Sequence, residues 1–258
     1  MSVKANEMTF WDHLEDLRKS IFRMAAFVVA LTVLLFFMKE FLFSDVILAP
    51  TDKDFYLYRL LGVDFSLSLV NIDVAAQFMI HMKVTFVCAL ILSFPYIAYE
   101  LWNFVAPALY DKEKKVIRGA FGFAALLFYI GLAVGYFIIL PLMIHFFAGY
   151  QVSADVPNTF SLSSYISLFT STVLIFGMVF QFPTVIAILS ALGIVDRAGL
   201  KAYRRHAVCA VVVLAALITP SGDPFSLLVC TVPLYLLYEF SILICKERKL
   251  VLEKEDEQ

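Results

Sequence analysis

Four stretches of this 258-residue chain stay apolar for the thickness of a lipid bilayer, and no other feature constrains the fold so tightly. A helix rises about 1.5 Å per residue and a bilayer's hydrocarbon core is about 30 Å thick, so roughly 20 mostly apolar residues make one crossing. Segments 21–38, 75–98, 119–147 and 163–192 qualify. Two later runs, 207–218 and 225–238, flank the turn TPSGDP and are short for full crossings. Composition agrees: 62% of residues are hydrophobic and 16% charged, where soluble domains run at about 45–50% and 25%. A soluble enzyme or a nucleic-acid binder is excluded. The expected fold is all-α and polytopic, with six transmembrane helices of which the last two are short. Residues 1–250 are read as a single transmembrane domain and 251–258 as an acidic cytoplasmic tail.

The net charge of −2 is uninformative until it is sorted by segment. Sixteen of the twenty Lys and Arg fall in the N-terminal stretch to Arg23, the connections 99–118 and 193–206, and the C-terminal tail. The connections 39–74 and 144–162 and the turn 219–224 carry eight acids against three bases. Basic segments stay on the cytoplasmic side, so both termini are inside and three loops outside. This arrangement holds whether the last two runs cross fully or form a re-entrant hairpin. The N-terminus lacks the basic and apolar regions of a cleavable leader and is expected to persist.

No HExxH, GxSxG, P-loop or glycine-rich phosphate cradle occurs. His13, His81, His145 and His206 lie in four separate segments, and Cys88, Cys209, Cys230 and Cys245 sit in apolar runs without metal or redox spacing, so neither metal nor cofactor is expected. His81 and Lys83 are read as lying near the outer interface, with Lys83 extending along its stem toward water.

The inner face is richer. HLEDLRKS places Glu15, Asp16 and Arg18 on a short amphipathic helix, and SFPYIAYELWNFVAPALYDKEKK sets Glu100, Asp111 and Glu113 among aromatic residues. Carboxylates beside aromatic rings suit a guanidinium, which bonds in a bidentate fork and stacks on flat faces. Spacing alone favours a plainer role, with Asp16 and Glu113 neutralising neighbouring Lys and Arg.

These same stretches resemble the TatC family, the multi-spanning receptor subunit of the twin-arginine protein translocase. HLEDLRKSIF is similar to its H-L-x-E-L-R-x-R signature, SFPYIAYELWNFVAPALYDKEKK to its first cytoplasmic loop, and FYIGLAVGYFIILPL to its third span. FGMVFQFP resembles a stretch of the fourth span and PLYLLYE of the sixth. The matches run in order along nearly the whole chain. The resemblance implies a cup-shaped six-helix bundle in the bacterial inner membrane that is not an enzyme. Such a subunit binds twin-arginine signal peptides of folded cargo and recruits TatA-type and TatB-type single-span subunits. It also implies export driven by the proton-motive force, contact with membrane lipids, and a homo-oligomer within a larger complex.

On the family's motifs, Asp16 and Glu113 fall where acids hold the two arginines, which turns the balance toward arginine recognition. Arg18, Pro50, Pro95, Trp102, Phe104, Pro107, Leu109 and Tyr110 fall on other motif positions of the same face or of the helix ends that shape it. Asp16 stands where the family usually has Glu, with Glu15 beside it, and Glu100 replaces a common Gln. Gln181 occupies an intramembrane position where many members have Glu. There it either bonds a neighbouring helix or meets a partner's helix, because polar groups in lipid face protein or a cavity. A small-solute or ion transporter remains the alternative, although the paired interrupted helices usual in such folds are missing from the first half.

Overall fold

The computed structural model describes residues 10–108, 111–153, 155, 158–219 and 222–245, and within them all side chains except those of residues 10, 12, 108, 111–113, 115 and 116. Leu109, Tyr110 and the tail 251–258 lie outside the described residues, as does the side chain of Glu113.

The first helix, α1 (Phe10–Phe36), joins the amphipathic HLEDLRKS segment to the first span without a break. It buries only a narrow stripe, Ser20, Val28 and Leu35, because it packs chiefly on one neighbour, α3 (Ala76–Val105). The two run antiparallel, and their seam is visible as a series of paired side chains. His13 stacks on Phe104 at 4.2 Å, Arg23 meets Glu100, Phe27 meets Tyr96 at 4.5 Å, and Phe36 stacks on His81 at 4.2 Å. Between α1 and α3 lie a π-helical turn (Phe41–Ile47), a 3-10 turn (Ala49–Thr51), α2 (Tyr56–Leu61) and β1 (Leu69–Val70).

Pro95 lies inside α3. Proline has no N–H, so the carbonyl of Ile91 loses its helical donor, and the Tyr129 hydroxyl donates to it at 3.3 Å. Tyr129 belongs to α4 (Asp111–Val134), which passes through a π-helical turn (Gly135–Ile139) into α5 (Leu140–Gly149). The turn comes just ahead of Pro141, where the regular ladder must change. After β2 (Phe160–Ser161), α6 (Leu162–Val179) and α7 (Phe182–Ala191) make one further traverse, interrupted at Phe180 and Gln181 ahead of Pro183. Gly131 and Gly135 of α4 and its extension face Phe176 of α6, and Gly177 of α6 faces Phe128 and Leu132. Small residues let the helix backbones approach closely where no hydrophobic drive separates protein from lipid.

The chain ends with α8 (Arg197–Ala202), α9 (Arg204–Ile218) and α10 (Pro224–Ile244). Asp196 and Asp223 cap α8 and α10, each accepting a backbone N–H at 2.8 Å. The 15 residues of α9 cover about 22 Å and are short, as expected. By contrast α10 differs from the reading of a second short helix: it continues through Pro233 for 21 residues, about 31 Å. Polar Glu239 and Ser241 near its C-terminal end belong to the helix although they lie beyond the apolar run. Among the described residues five helical stretches are thus long and apolar enough to cross a membrane, and α9, fifth in chain order between them, is shorter than these.

Successive traverses alternate in direction. One end of the bundle gathers the start of α1, the α3–α4 junction, α8 and the end of α10, where the basic residues concentrate. The opposite end is closed by the outer connections: β1 pairs in parallel with β2, and Phe146 stacks on Phe225 at 4.0 Å. Tyr136 and Tyr165 donate to the carbonyls of Val46 and Ile47 at the end of the first π-helical turn, and Tyr58 donates to the carbonyl of Pro50 at 3.1 Å. Burial pushes the Tyr58 hydroxyl well above its ordinary value, which keeps it a donor.

Candidate functional site

On the basic end, α1 and α3 each present one helical face to the other. Residues 13, 16, 20 and 23 are spaced by successive steps of three and four on α1, and 96, 100, 103, 104 and 107 share one face along α3 and the short turn after it (Ala106–Ala108) by the same helical period. The two faces enclose a cavity of about 200 Å³ lined by His13, Asp16, Ser20, Arg23, Asn103, Phe104 and Pro107. Two cross-helix contacts bound it. On one side is the His13–Phe104 stack. On the other, Arg23 donates from Nε to Glu100 Oε1 at 3.0 Å and from Nη2 to Oε2 at 2.7 Å. The Arg23 Nη2 also donates to Ser20 Oγ at 3.0 Å, and the Tyr96 hydroxyl donates to Glu100 Oε1 at 2.9 Å.

Glu100 is only 4% exposed, so this added acid of the loop is a neutralised group inside the helix seam and not an open acceptor. Asp16 differs. It is half-buried at the cavity wall, and among the described residues no cation or hydrogen-bond donor engages its carboxylate. A carboxylate beside an aromatic wall, in a space the size of one long side chain, is chemically suited to a guanidinium.

A second cavity of about 450 Å³ adjoins the first, lined by Pro95, Ala98, Tyr99, Trp102, Asn103, Arg118 and Phe121 among others. Trp102 is half-buried there with its ring 5.7 Å from Phe121. Asn103 belongs to both cavities and joins them.

The structure therefore brings together Asp16, Phe104 and Pro107, with Pro95 and Trp102 next door. Glu15 and Arg18 are exposed on α1, and Glu15 is paired with Lys19 at 3.1 Å. Glu113 lies in the first turn of α4, at the same end of the bundle. Pro50 is not part of this face: it is buried in the outer connection at the far end of α1. His13, Ser20, Arg23 and Asn103 were not singled out from the sequence, although the 13/16/20/23 spacing was there to be read.

Gln181 sits at the break between α6 and α7 and donates from Nε2 to the carbonyl of Ala124 at 3.1 Å. It also lines an almost wholly apolar groove of about 580 Å³ between α7, α9 and α10, where Tyr203 and His206 supply further polar atoms. Among the described residues no group of His, Cys, Asp and Glu side chains is placed to hold a metal ion.

The sequence profile of the Sec-independent protein translocase protein (TatC) family matches residues 12–233. This chain belongs to the TatC family. The TatC of Blattabacterium sp. subsp. Periplaneta americana is 39% identical, over 95% of this chain and 97% of that protein. TatCy of Bacillus subtilis is 32% identical over 95% and 91% respectively. A crystal structure of the twin-arginine translocase receptor TatC superposes with a TM-score of 0.72 at 27% identity, covering 90% of this chain and 97% of that one. A second, in the detergent DDM, gives 0.75 over 91% and 99%.

Membership makes this chain a multi-pass component of the Tat protein translocase in the bacterial inner membrane. The matched region of the TatC profile begins on α1, four residues before Asp16, and includes both cavities and Gln181. The charge that Glu100 adds to this segment is cancelled by Arg23.

Proposed function

We propose that this TatC-family chain is the receptor of its translocase and captures the arginines of a twin-arginine signal peptide at the α1–α3 cavity. Asp16 takes one guanidinium, Phe104 and His13 supply its flat wall, and Glu113 on the first turn of α4 takes the other. The adjoining Trp102 cavity, reached past Asn103, receives the residues that follow. Glu15 and Arg18 flank the site on α1, Pro95 shapes the α3 wall, and Leu109 and Tyr110 are candidates by motif position alone. The observation that carries this reading is the Asp16 carboxylate at a cavity wall, unpaired among the described residues, while Lys19 and Arg23 of the same helix are paired with Glu15 and Glu100. Unengaged and half-buried, that acid is stabilised when a cation arrives.

Around this receptor, TatA-type and TatB-type single-span subunits assemble within the membrane, with further copies of this chain in a larger complex. The apolar groove beside Gln181 is a surface for a partner's helix. Export draws on the proton-motive force, as the resemblance to the TatC family implies.

The test is crosslinking of a twin-arginine signal peptide to a photoreactive residue at position 104 in the full chain. The crosslink forms in the native background and is lost with Asp16→Ala plus Glu113→Ala. Retention of both the crosslink and export of a folded reporter in that double variant contradicts the assignment.

A further inference from the structure

Arg23 poses a problem for any cavity that is to accept an arginine. It lies on the same face of α1 as Asp16, two helical turns further along, and both side chains line the same space of about 200 Å³. Its guanidinium is permanently charged, and Asp16 has no competing partner among the described residues. A tethered group acts at an effective concentration in the millimolar range. Left to itself, Arg23 would be the resident ligand of Asp16 and would compete with every incoming peptide.

The geometry around Arg23 prevents this. Glu100 takes both Nε and Nη2 in a bidentate fork, at 3.0 and 2.7 Å. Ser20 accepts from Nη2 as well, and Tyr96 holds Oε1 of Glu100 in place. The carboxylate is buried in the α1–α3 seam while the guanidinium is about half exposed toward the cavity. A planar fork with a third partner fixes the guanidinium more firmly than a single contact across the cavity could.

We propose that Glu100 is a guard residue: by sequestering Arg23 in the helix seam, it keeps the Asp16 carboxylate open for an arginine supplied by a signal peptide. This rests on Asp16 being the acceptor. Glu100 is then a positioning residue that acts through Arg23 and does not itself touch the peptide. A chain with an acid at position 100 and an arginine at position 23 depends on the pair as a unit, and removing the acid alone is worse than removing both.

The test uses the purified full chain in lipid nanodiscs and a fluorescent twin-arginine signal peptide. Glu100→Gln keeps the side-chain shape and removes the charge that holds Arg23. Affinity is expected to fall about tenfold to a hundredfold, the range for one charged hydrogen-bonded partner. Adding Arg23→Gln removes the competitor and is expected to restore affinity to within about threefold of the native protein. The proposal is overturned if Glu100→Gln leaves affinity unchanged, or if the loss persists in the double variant, as it would for a brace or a direct peptide contact.

Should Glu100→Gln not fold, Ser20→Ala carries the test. It weakens the hold on Arg23 and lowers affinity about two- to threefold in the native background, but has no effect beside Arg23→Gln. Equal effects in both backgrounds, or none in either, overturn the proposal. Asp16→Asn separates this inference from the reading beneath it. Unchanged affinity in that variant sinks both, whereas lost affinity there together with no rescue of Glu100→Gln by Arg23→Gln sinks the guard role alone.

Discussion

Substituting alanine for glycine should have opposite effects at two positions of α4, and the contrast tests the packing that holds the bundle together. A Cβ added at Gly131 would lie 2.5 Å from the Phe176 carbonyl oxygen and 2.7 and 2.8 Å from Cβ and Cγ of Phe180. Carbon atoms at rest sit about 3.5–4 Å apart, so α4 must move away from α6 by roughly 1 Å. The obstacle includes backbone, which cannot rotate aside. Overpacking of this kind costs about 1–3 kcal/mol, against which alanine returns up to about 1 kcal/mol of helix propensity. At Gly119, twelve residues earlier on the same helix, nothing lies within 4 Å of the added Cβ, and only the propensity gain remains. Thermal unfolding of the purified chain in one detergent reads both. With about 2–4 °C per kcal/mol for a chain of this size, Gly131→Ala lowers Tm by several degrees and Gly119→Ala raises it by about 1–3 °C. A Gly131→Ala protein that melts at or above the native temperature refutes the close approach of α4 and α6.

Three further outcomes follow from the described contacts. Tyr165→Phe removes the donor to the Ile47 carbonyl, leaving a buried acceptor unsatisfied at a cost of about 1–3 kcal/mol, visible as a lower Tm. Gln181→Leu removes one helix-to-helix bond to Ala124 worth about 0.6–2 kcal/mol. Its Tm should fall by about 1–8 °C while co-purification of single-span subunits falls, and normal assembly would reduce Gln181 to packing. Arg204→Gln breaks a partly exposed pair with Glu239 at 2.6 Å, and such pairs are worth about 0–1 kcal/mol, so its Tm should shift by no more than about 4 °C.

Hydropathy and charge made most of the fold legible. The traverses, their short fifth member and the basic end all follow from counting, because lipid forces backbone polar groups into helices and basic residues mark one side. The end of α10 was less legible, since Glu239 and Ser241 interrupt the apolar run while remaining helical through their partners Arg204 and the Leu237 carbonyl. The candidate site was legible in part. Asp16, Phe104, Pro107, Trp102 and Pro95 were found by motif, and they meet because α1 and α3 are antiparallel neighbours. Glu100 was counted as an open acid because its neutralising partner lies 77 residues away on another helix. Asn103 carries no signature of its own and gains its place only from adjoining both cavities. Pro50 matched a motif, yet it serves the outer connection at the opposite end.

The central claim, that Asp16 receives a guanidinium, is tested most directly by measuring how well the chain distinguishes two peptides. Affinities of a twin-arginine signal peptide and its twin-lysine counterpart are measured on the native protein and on Asp16→Asn. Lysine is a point charge and cannot reproduce the planar fork, so the native protein should prefer arginine, and that preference should collapse in the variant. If Asp16→Asn keeps the native arginine-to-lysine ratio, Asp16 does not read the guanidinium and the account of the site is wrong.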